Sequence, residues 1–187
     1  MTRHVMITFA IVLMSMPAFA QSERPLDLSA SYLTVGGTMH GWSVDVSKAI
    51  TPRVGAVLEV NRSIGADCSG CEPVYRDLSV LGGVRFSWLR DKRFSPSFQV
   101  LGGVLHSKSD PYYADLIFGP PYYEESETVD YLALQPGAGF TVMVTPRVGF
   151  KMQTDLQFGI PDQSEYEGFS VFPRVTVGAV FRLGGRR

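Results

Sequence analysis

Residues 132–158 read LALQPGAGFTVMVTPRVGFKMQTDLQF, and this stretch decides the fold. Apolar side chains occupy nearly every even position, at Leu132, Leu134, Pro136, Ala138, Phe140, Val142, Val144, Val148, Phe150, Met152, Leu156 and Phe158. Most odd positions are polar or glycine, with Met143 as the main exception. Because a period of two puts alternate side chains on opposite faces, the stretch predicts two extended strands. The central Thr145-Pro146-Arg147 predicts a tight hairpin turn between them.

The same alternation recurs along the chain and predicts eight strands, at about 26–35, 39–50, 54–64, 74–89, 94–107, 132–144, 148–158 and 169–183. Their connections alternate in length: 51–53, 90–93 and 145–147 are short and basic, whereas 66–73, 108–127 and 161–168 are longer. The pentapeptide TPRVG occurs at 51–55 and again at 145–149, which indicates equivalent turns on one rim.

Charge separates the two predicted rims. The longer loops and their edges carry Asp67, Glu72, Asp77, Asp110, Asp115, Glu124, Glu125, Glu127, Asp130, Asp162, Glu165 and Glu167. Against these acids stand only Arg76 and Lys108. The opposite rim carries Lys48, Arg53, Arg90, Lys92, Arg93, Arg147, Arg182, Arg186 and Arg187. A soluble barrel has no need for such a difference in charge between its ends.

The first twenty residues differ from the rest. Arg3 and His4 precede an apolar run that ends in Ala18-Phe19-Ala20, a pattern typical of a secretory signal peptide cleaved after Ala20. The remaining residues, 21–187, are expected to form one domain. The formal net charge of the whole chain is −1, and no basic stripe indicates nucleic-acid binding.

Alternation alone does not say which face is inside, but the composition of the polar face does. That face is rich in glycine, which packs poorly on a solvated strand but makes room in the lumen of a narrow barrel. Aromatic residues such as Trp88, Phe94 and Phe181 lie near strand ends, where a membrane-interface girdle would sit. The sequence therefore predicts an all-β fold, an eight-stranded antiparallel up-and-down transmembrane β-barrel whose apolar face contacts lipid.

With its signal peptide, eight strands, alternating connections and closing strand RVTVGAVFRLG, the chain resembles the small eight-stranded bacterial outer-membrane β-barrel family. The resemblance covers about residues 26–183 and implies an outer-membrane location with both termini in the periplasm. We therefore expect the basic turns to face the periplasm and the acidic loops to face the cell exterior. It also implies outer-membrane lipids and the barrel assembly machinery as partners, and a monomer. Such proteins often end on an aromatic residue, whereas here Phe181 is followed by RLGGRR.

A barrel of eight strands is just wide enough for side chains to fill it. Inward positions carry four acids and four bases, and an ion network is expected among Asp45, Glu59, Arg85, Lys151, Asp155, Arg174 and Arg182. A three-residue turn at 51–53 places Asp45 directly opposite Glu59. Two carboxylates so close need a cation, and we expect Arg85 to bridge them. Balanced charges in a narrow lumen favour a closed barrel over a wide channel.

The only cysteines, Cys68 and Cys71, lie in one predicted loop, and an exported protein favours a disulfide between them. No metal site and no cofactor are expected, because His40 and His106 match no zinc motif. The pair His106-Ser107 is weak support for catalysis, since neighbouring strand residues point to opposite faces.

These patterns favour a non-enzymatic outer-membrane barrel that serves envelope integrity, adhesion or ligand contact through its acidic loops. Two alternatives stay open at this point: an outer-membrane lipid-modifying enzyme, and a soluble periplasmic carrier of the lipocalin kind.

Overall fold

A computed structural model describes residues 25–65, 74–88, 92–114, 122–161 and 170–184. The long strands are β1 (Leu26–Val35), β2 (Met39–Ala49), β3 (Val54–Gly65), β4 (Tyr75–Ser87), β5 (Phe94–Ser109), β8 (Thr128–Met143), β9 (Val148–Pro161) and β10 (Ser170–Leu183). Two short strands, β6 (Tyr112–Ala114) and β7 (Tyr122–Glu124), pair only with each other. Among the described residues, no helix is long and apolar enough to cross a membrane.

The eight long strands close into one barrel in the order β1-β10-β9-β8-β5-β4-β3-β2. Every neighbouring pair is antiparallel, and β1 closes the barrel against β10 with Leu26 opposite Leu183. The predicted fold class is thus confirmed, and the strand bounds differ from the prediction by a few residues at most. One prediction was wrong: residues 108–127 do not form a loop throughout, because β5 extends to Ser109 and the paired strands β6 and β7 follow.

Two rims follow from this order. The short-turn rim holds the turns β2–β3, β4–β5 and β8–β9, and β1 starts and β10 ends there. The long-loop rim holds the other connections, including the tight β1–β2 turn, where Gly36 and Gly37 have φ values of 59° and 83°. Those positive angles favour glycine, because a Cβ atom strains the backbone there.

The repeated TPRVG sequence forms the same turn twice, as the sequence predicted. In the first copy the Thr51 hydroxyl oxygen accepts from the amides of Arg53 at 3.3 Å and Val54 at 2.9 Å. In the second copy the Thr145 hydroxyl repeats both bonds at the same distances. The threonine oxygen satisfies amides that the ladder leaves unpaired, which explains why both turns use one sequence.

The hydrophobic pattern of a soluble barrel is inverted. Large apolar side chains point outward and stay exposed, among them Leu132 at 62%, Val104 at 60% and Val144 at 73%. Polar and charged side chains are buried, and Arg174 and Gln135 have no exposed surface. Exposed apolar surface on this scale is unstable in water, so the exterior fits a hydrocarbon environment.

Candidate functional site

The lumen holds a cluster of cations around Asp45. This carboxylate lies directly opposite Ser29 of β1, which donates a hydrogen bond to it. Lys151 Nζ of β9 lies 2.5 Å from Asp45 Oδ2, and Arg85 Nη2 of β4 lies 3.1 Å from Oδ1. Arg85 also donates twice to Gln99 Oε1, at 2.9 Å and 2.7 Å. Two cations thus share one buried carboxylate.

A second cluster surrounds Glu59. Asp45 and Glu59 lie opposite each other in the β2–β3 ladder, as the three-residue turn predicts. The cation of Glu59 is Arg174 of β10, whose Nη2 lies 3.2 Å from Glu59 Oε1. Neutral donors complete the shell: Asn61 Nδ2 at 3.1 Å and Gln135 Nε2 at 3.3 Å from the same oxygen.

The expected bridge by Arg85 across both carboxylates is therefore wrong: Arg85 and Lys151 pair with Asp45, and Arg174 pairs with Glu59. Arg85 lies opposite Gly55 in the β3–β4 ladder, and its guanidinium is engaged by Asp45 and Gln99. Arg174 reaches Glu59 from β10, on the other side of the lumen.

Asp155 is the third buried carboxylate. Its Oδ1 accepts from Gln153 Nε2 at 2.6 Å and from Gln99 Nε2 at 3.4 Å. Asp155 lies directly opposite Arg174, yet Asp155 Oδ2 and Arg174 Nε have no hydrogen-bond partner among the described residues. On its other side it faces Gly137, where an added Cβ would lie 1.7 Å from Asp155 Oδ1. Glycine at 137 therefore makes the space that this carboxylate occupies.

Arg182 lies apart from these clusters, near the short-turn rim. Its Nε donates to Asp27 Oδ1 at 2.8 Å, and the residues are opposite each other in the closing β1–β10 ladder. A cavity of about 20 Å³ lies here, lined in part by Asp27, Arg85, Lys151 and Arg182. Such a volume has room for a water molecule between several polar partners.

Apolar side chains also enter the lumen, and the sequence analysis did not single them out. One cluster comprises Val57, Leu81, Leu101, Leu105 and Ala133, with Tyr131 packed against it. The other, at the long-loop end of β1 and β2, comprises Leu33, Val35 and Met39, with Tyr75 and Phe172 against it. The sequence did contain a signal for these clusters, because large apolar residues interrupt the face of each strand that is otherwise polar. The first cluster lies beside the buried ions, since Leu81 is directly opposite Glu59 in the β3–β4 ladder.

Near the long-loop rim, His106 and Ser107 point to opposite faces. Ser107 donates inward to Asp77 Oδ1 at 2.7 Å, whereas outward-facing His106 Nδ1 lies 2.6 Å from Asp130 Oδ1. The structure thus does not bring this serine and histidine together. No group of three or more potential metal ligands occurs among the described residues. Cys68 and Cys71, like the segment 1–20 that ends at Ala20, lie outside the described residues.

No protein-family model and no curated protein matches this chain. Solved structures do match in fold. The crystal structure of Neisserial surface protein A aligns with a TM-score of 0.56 at 12% identity, covering 87% of this chain and 97% of that one. Ail, the attachment invasion locus protein of Yersinia pestis, gives 0.55 at 17% identity, covering 86% and 99%. A major outer membrane protein from Thermus thermophilus gives 0.56 at 12%, covering 86% and 100%.

At these identities the comparisons speak for the fold alone. The chain has the architecture of small eight-stranded outer-membrane β-barrels, which is the resemblance that its sequence indicated.

Proposed function

We propose that this chain is an integral, non-enzymatic protein of the bacterial outer membrane, which presents its long loops at the cell surface. The observation that carries the proposal is the inverted pattern, with ions inside and apolar residues outside. On β5 the outward apolar positions run from Phe94 to Val104. Ten residues of strand tilted by about 40° rise by about 25 Å, the height of the apolar band in outer-membrane barrels.

The filled lumen supports a role at the surface rather than in solute transport. Buried ion pairs at Asp45 and Glu59 cross the middle of the barrel, and apolar residues at Leu33 and Met39 occupy its long-loop end. An eight-stranded barrel has no spare width around such groups. Loss of the protein is therefore expected to affect envelope integrity or adhesion.

A soluble carrier of the lipocalin kind requires the opposite arrangement, with an apolar lumen that holds the ligand and a polar exterior. The exposure of residues such as Leu132 and Phe150 disfavours that alternative.

A lipid-modifying enzyme needs a nucleophile within hydrogen-bond reach of its base. His106 and Asp130 form a pair on the outer face, but Ser107 is engaged inside by Asp77. Because Ser107 and His106 lie on opposite faces of β5, the non-enzymatic hypothesis is favoured.

What the loops contact is constrained by their charge. A solved complex of Ail contains the heparin analogue sucrose octasulfate, with a TM-score of 0.53 to this chain at 17% identity. A polyanion of that kind suits this chain poorly, because acids such as Glu125 and Glu127 stand at its long-loop rim. We infer that its surface ligand is cationic or neutral. The remaining proposed partners are outer-membrane lipids and the barrel assembly machinery, with the protein acting as a monomer.

Location and orientation are tested together. The protein should sediment with outer membranes and resist carbonate extraction. A peptide tag inserted at Gly119 should be labelled on intact cells, whereas a tag at Asp91 should be labelled only after permeabilisation. Extraction by carbonate would overturn the membrane location, and the reverse labelling would overturn the orientation.

A further inference from the structure

At the long-loop end, the charged side chains at outward strand positions are confined to one side of the barrel. They are Arg62 on β3, Arg76 on β4, His106 and Lys108 on β5, Asp110 just after β5, and Asp130 on β8. At the same end, the outward positions of β1, β2, β9 and β10 carry residues such as Thr34, His40, Ile160 and Val171, and none of the described ones is an acid, arginine or lysine. The outward charges of this end are therefore concentrated on β3, β4, β5 and β8.

Strand register brings the three permanent cations together. Arg76 lies directly opposite Lys108 in the β4–β5 ladder, and Arg62 lies opposite Leu78, one step diagonally from Arg76. Directly opposed residues have Cβ atoms about 5 Å apart, and diagonal ones about 7–8 Å apart. The long side chains of all three residues can thus converge on one group. We call Arg62, Arg76 and Lys108 the outer basic patch.

The patch is only partly neutralised by its own surroundings. Arg76 Nη2 lies 2.8 Å from Asp110 Oδ2, with 48% of the arginine side chain exposed. Asp130 is occupied by His106. Arg62 and Lys108 have no hydrogen-bond or ion-pair partner among the described residues. Like charges directly across a ladder destabilise it, so Arg76 opposite Lys108 favours a bound anion.

The depth of the patch identifies the kind of anion. From Trp88, just past the end of β4, the outward apolar positions run back to Leu78, ten residue steps that rise by about 25 Å at a tilt of about 40°. Arg76 is the next outward residue, so it lies where the hydrocarbon ends and lipid head groups begin. The guanidinium group of arginine can donate two parallel hydrogen bonds to a phosphate group, and lysine adds a positive point charge.

We propose that the outer basic patch binds a phosphate group of a phosphorylated glycolipid in the outer leaflet. This inference rests on the proposed membrane location and orientation. The patch faces sideways into the lipid layer, where a head group reaches it without passing the acidic loops. A soluble polyanion approaching from outside meets those loops first.

The test uses the full-length protein, purified in a neutral detergent. Its affinity for phosphorylated lipid A and for chemically dephosphorylated lipid A is measured by fluorescence titration. The variant R62Q/R76Q/K108Q removes the patch. The matched control K48Q/R53Q/R147Q removes the same number of positive charges at the short-turn rim. Heat-dependent gel mobility verifies that each barrel is folded, and R62Q alone serves if the triple variant fails to fold.

Each cation near an anionic membrane surface strengthens binding by about fivefold. Arg62 and Lys108, which form no ion pair among the described residues, together account for about 25-fold, so the triple variant should bind phosphorylated lipid A at least about 25-fold more weakly than the wild-type protein. R62Q alone should lose about fivefold, and the control variant should bind like the wild type. Dephosphorylated lipid A should bind as weakly to the wild type as phosphorylated lipid A binds to the triple variant. An excess of inorganic phosphate should compete poorly, because it lacks the acyl chains.

Equal affinity for the two lipids would overturn the inference, and so would an equal loss in the control variant. Strong competition by inorganic phosphate would mean that the patch takes free phosphate instead. Fractionation and tag labelling test the membrane location and orientation independently of this titration. If they succeed but the protein does not distinguish phosphorylated from dephosphorylated lipid A, only the present inference is refuted.

Discussion

Replacement of Arg174 by methionine should be among the most destabilising single changes in the barrel. Arg174 has no exposed surface and is the only cation within ion-pair distance of Glu59 among the described residues. Without it, Glu59 keeps only the amides of Asn61 and Gln135. Removing one partner of a buried ion pair costs about 3–5 kcal/mol, because the other charge stays buried without compensation.

Arg85→Met provides the matched control, because the same kind of side chain is lost from the same lumen. Its carboxylate partner, Asp45, keeps Lys151 at 2.5 Å and the hydroxyl of Ser29. The charge on Asp45 is thus still compensated, and the expected loss is about 1.5–3 kcal/mol, that of hydrogen bonds to a charged group.

The second half of the test is rescue. Glu59→Gln in the Arg174→Met background removes the stranded charge, and it should recover about 2–3 kcal/mol. Unfolding by urea in lipid vesicles, followed by tryptophan fluorescence, measures all of these variants. If Arg174→Met were as mild as Arg85→Met, or if Glu59→Gln gave no recovery, the division of the lumen into two separately compensated carboxylates would be refuted.

Three further predictions follow from other parts of the chain. Gly137→Ala should destabilise the barrel by about 1–3 kcal/mol in the same urea assay, because its Cβ would lie 1.7 Å from Asp155 Oδ1. Gly102→Ala, where the nearest atom is 3.8 Å away, should cost less than the Gly137 change; equal losses would contradict the packing argument. Cys68 and Cys71 should resist alkylation in the unreduced exported protein, and mass spectrometry that found both modified would exclude the disulfide. In planar bilayers the wild-type protein should show no wide-pore conductance, and large stable current steps would refute the filled lumen.

The strands could be predicted from sequence because the signal for them is local. In β9 alone, Val148, Phe150 and Met152 point outward, while Lys151 and Gln153 point inward. The β6–β7 hairpin escaped prediction because each of its strands has only three residues, too few for a period of two to be recognised.

The lumen contacts also fall into two groups. Some join neighbouring strands and depend on one turn, whereas others join distant strands and depend on the register of the whole barrel. Asp45 opposite Glu59 follows from one turn length, so a single hairpin determines it. The contact from Arg174 to Glu59 joins β10 to β3, which are not neighbours in the barrel. Its position depends on the stagger accumulated over every strand pair until the barrel closes. No single hairpin determines this total stagger. The sequence therefore identified the residues that face the lumen, but not their contacts across it. A change in one turn length should accordingly disturb contacts across the lumen, and not only those between the two strands it joins.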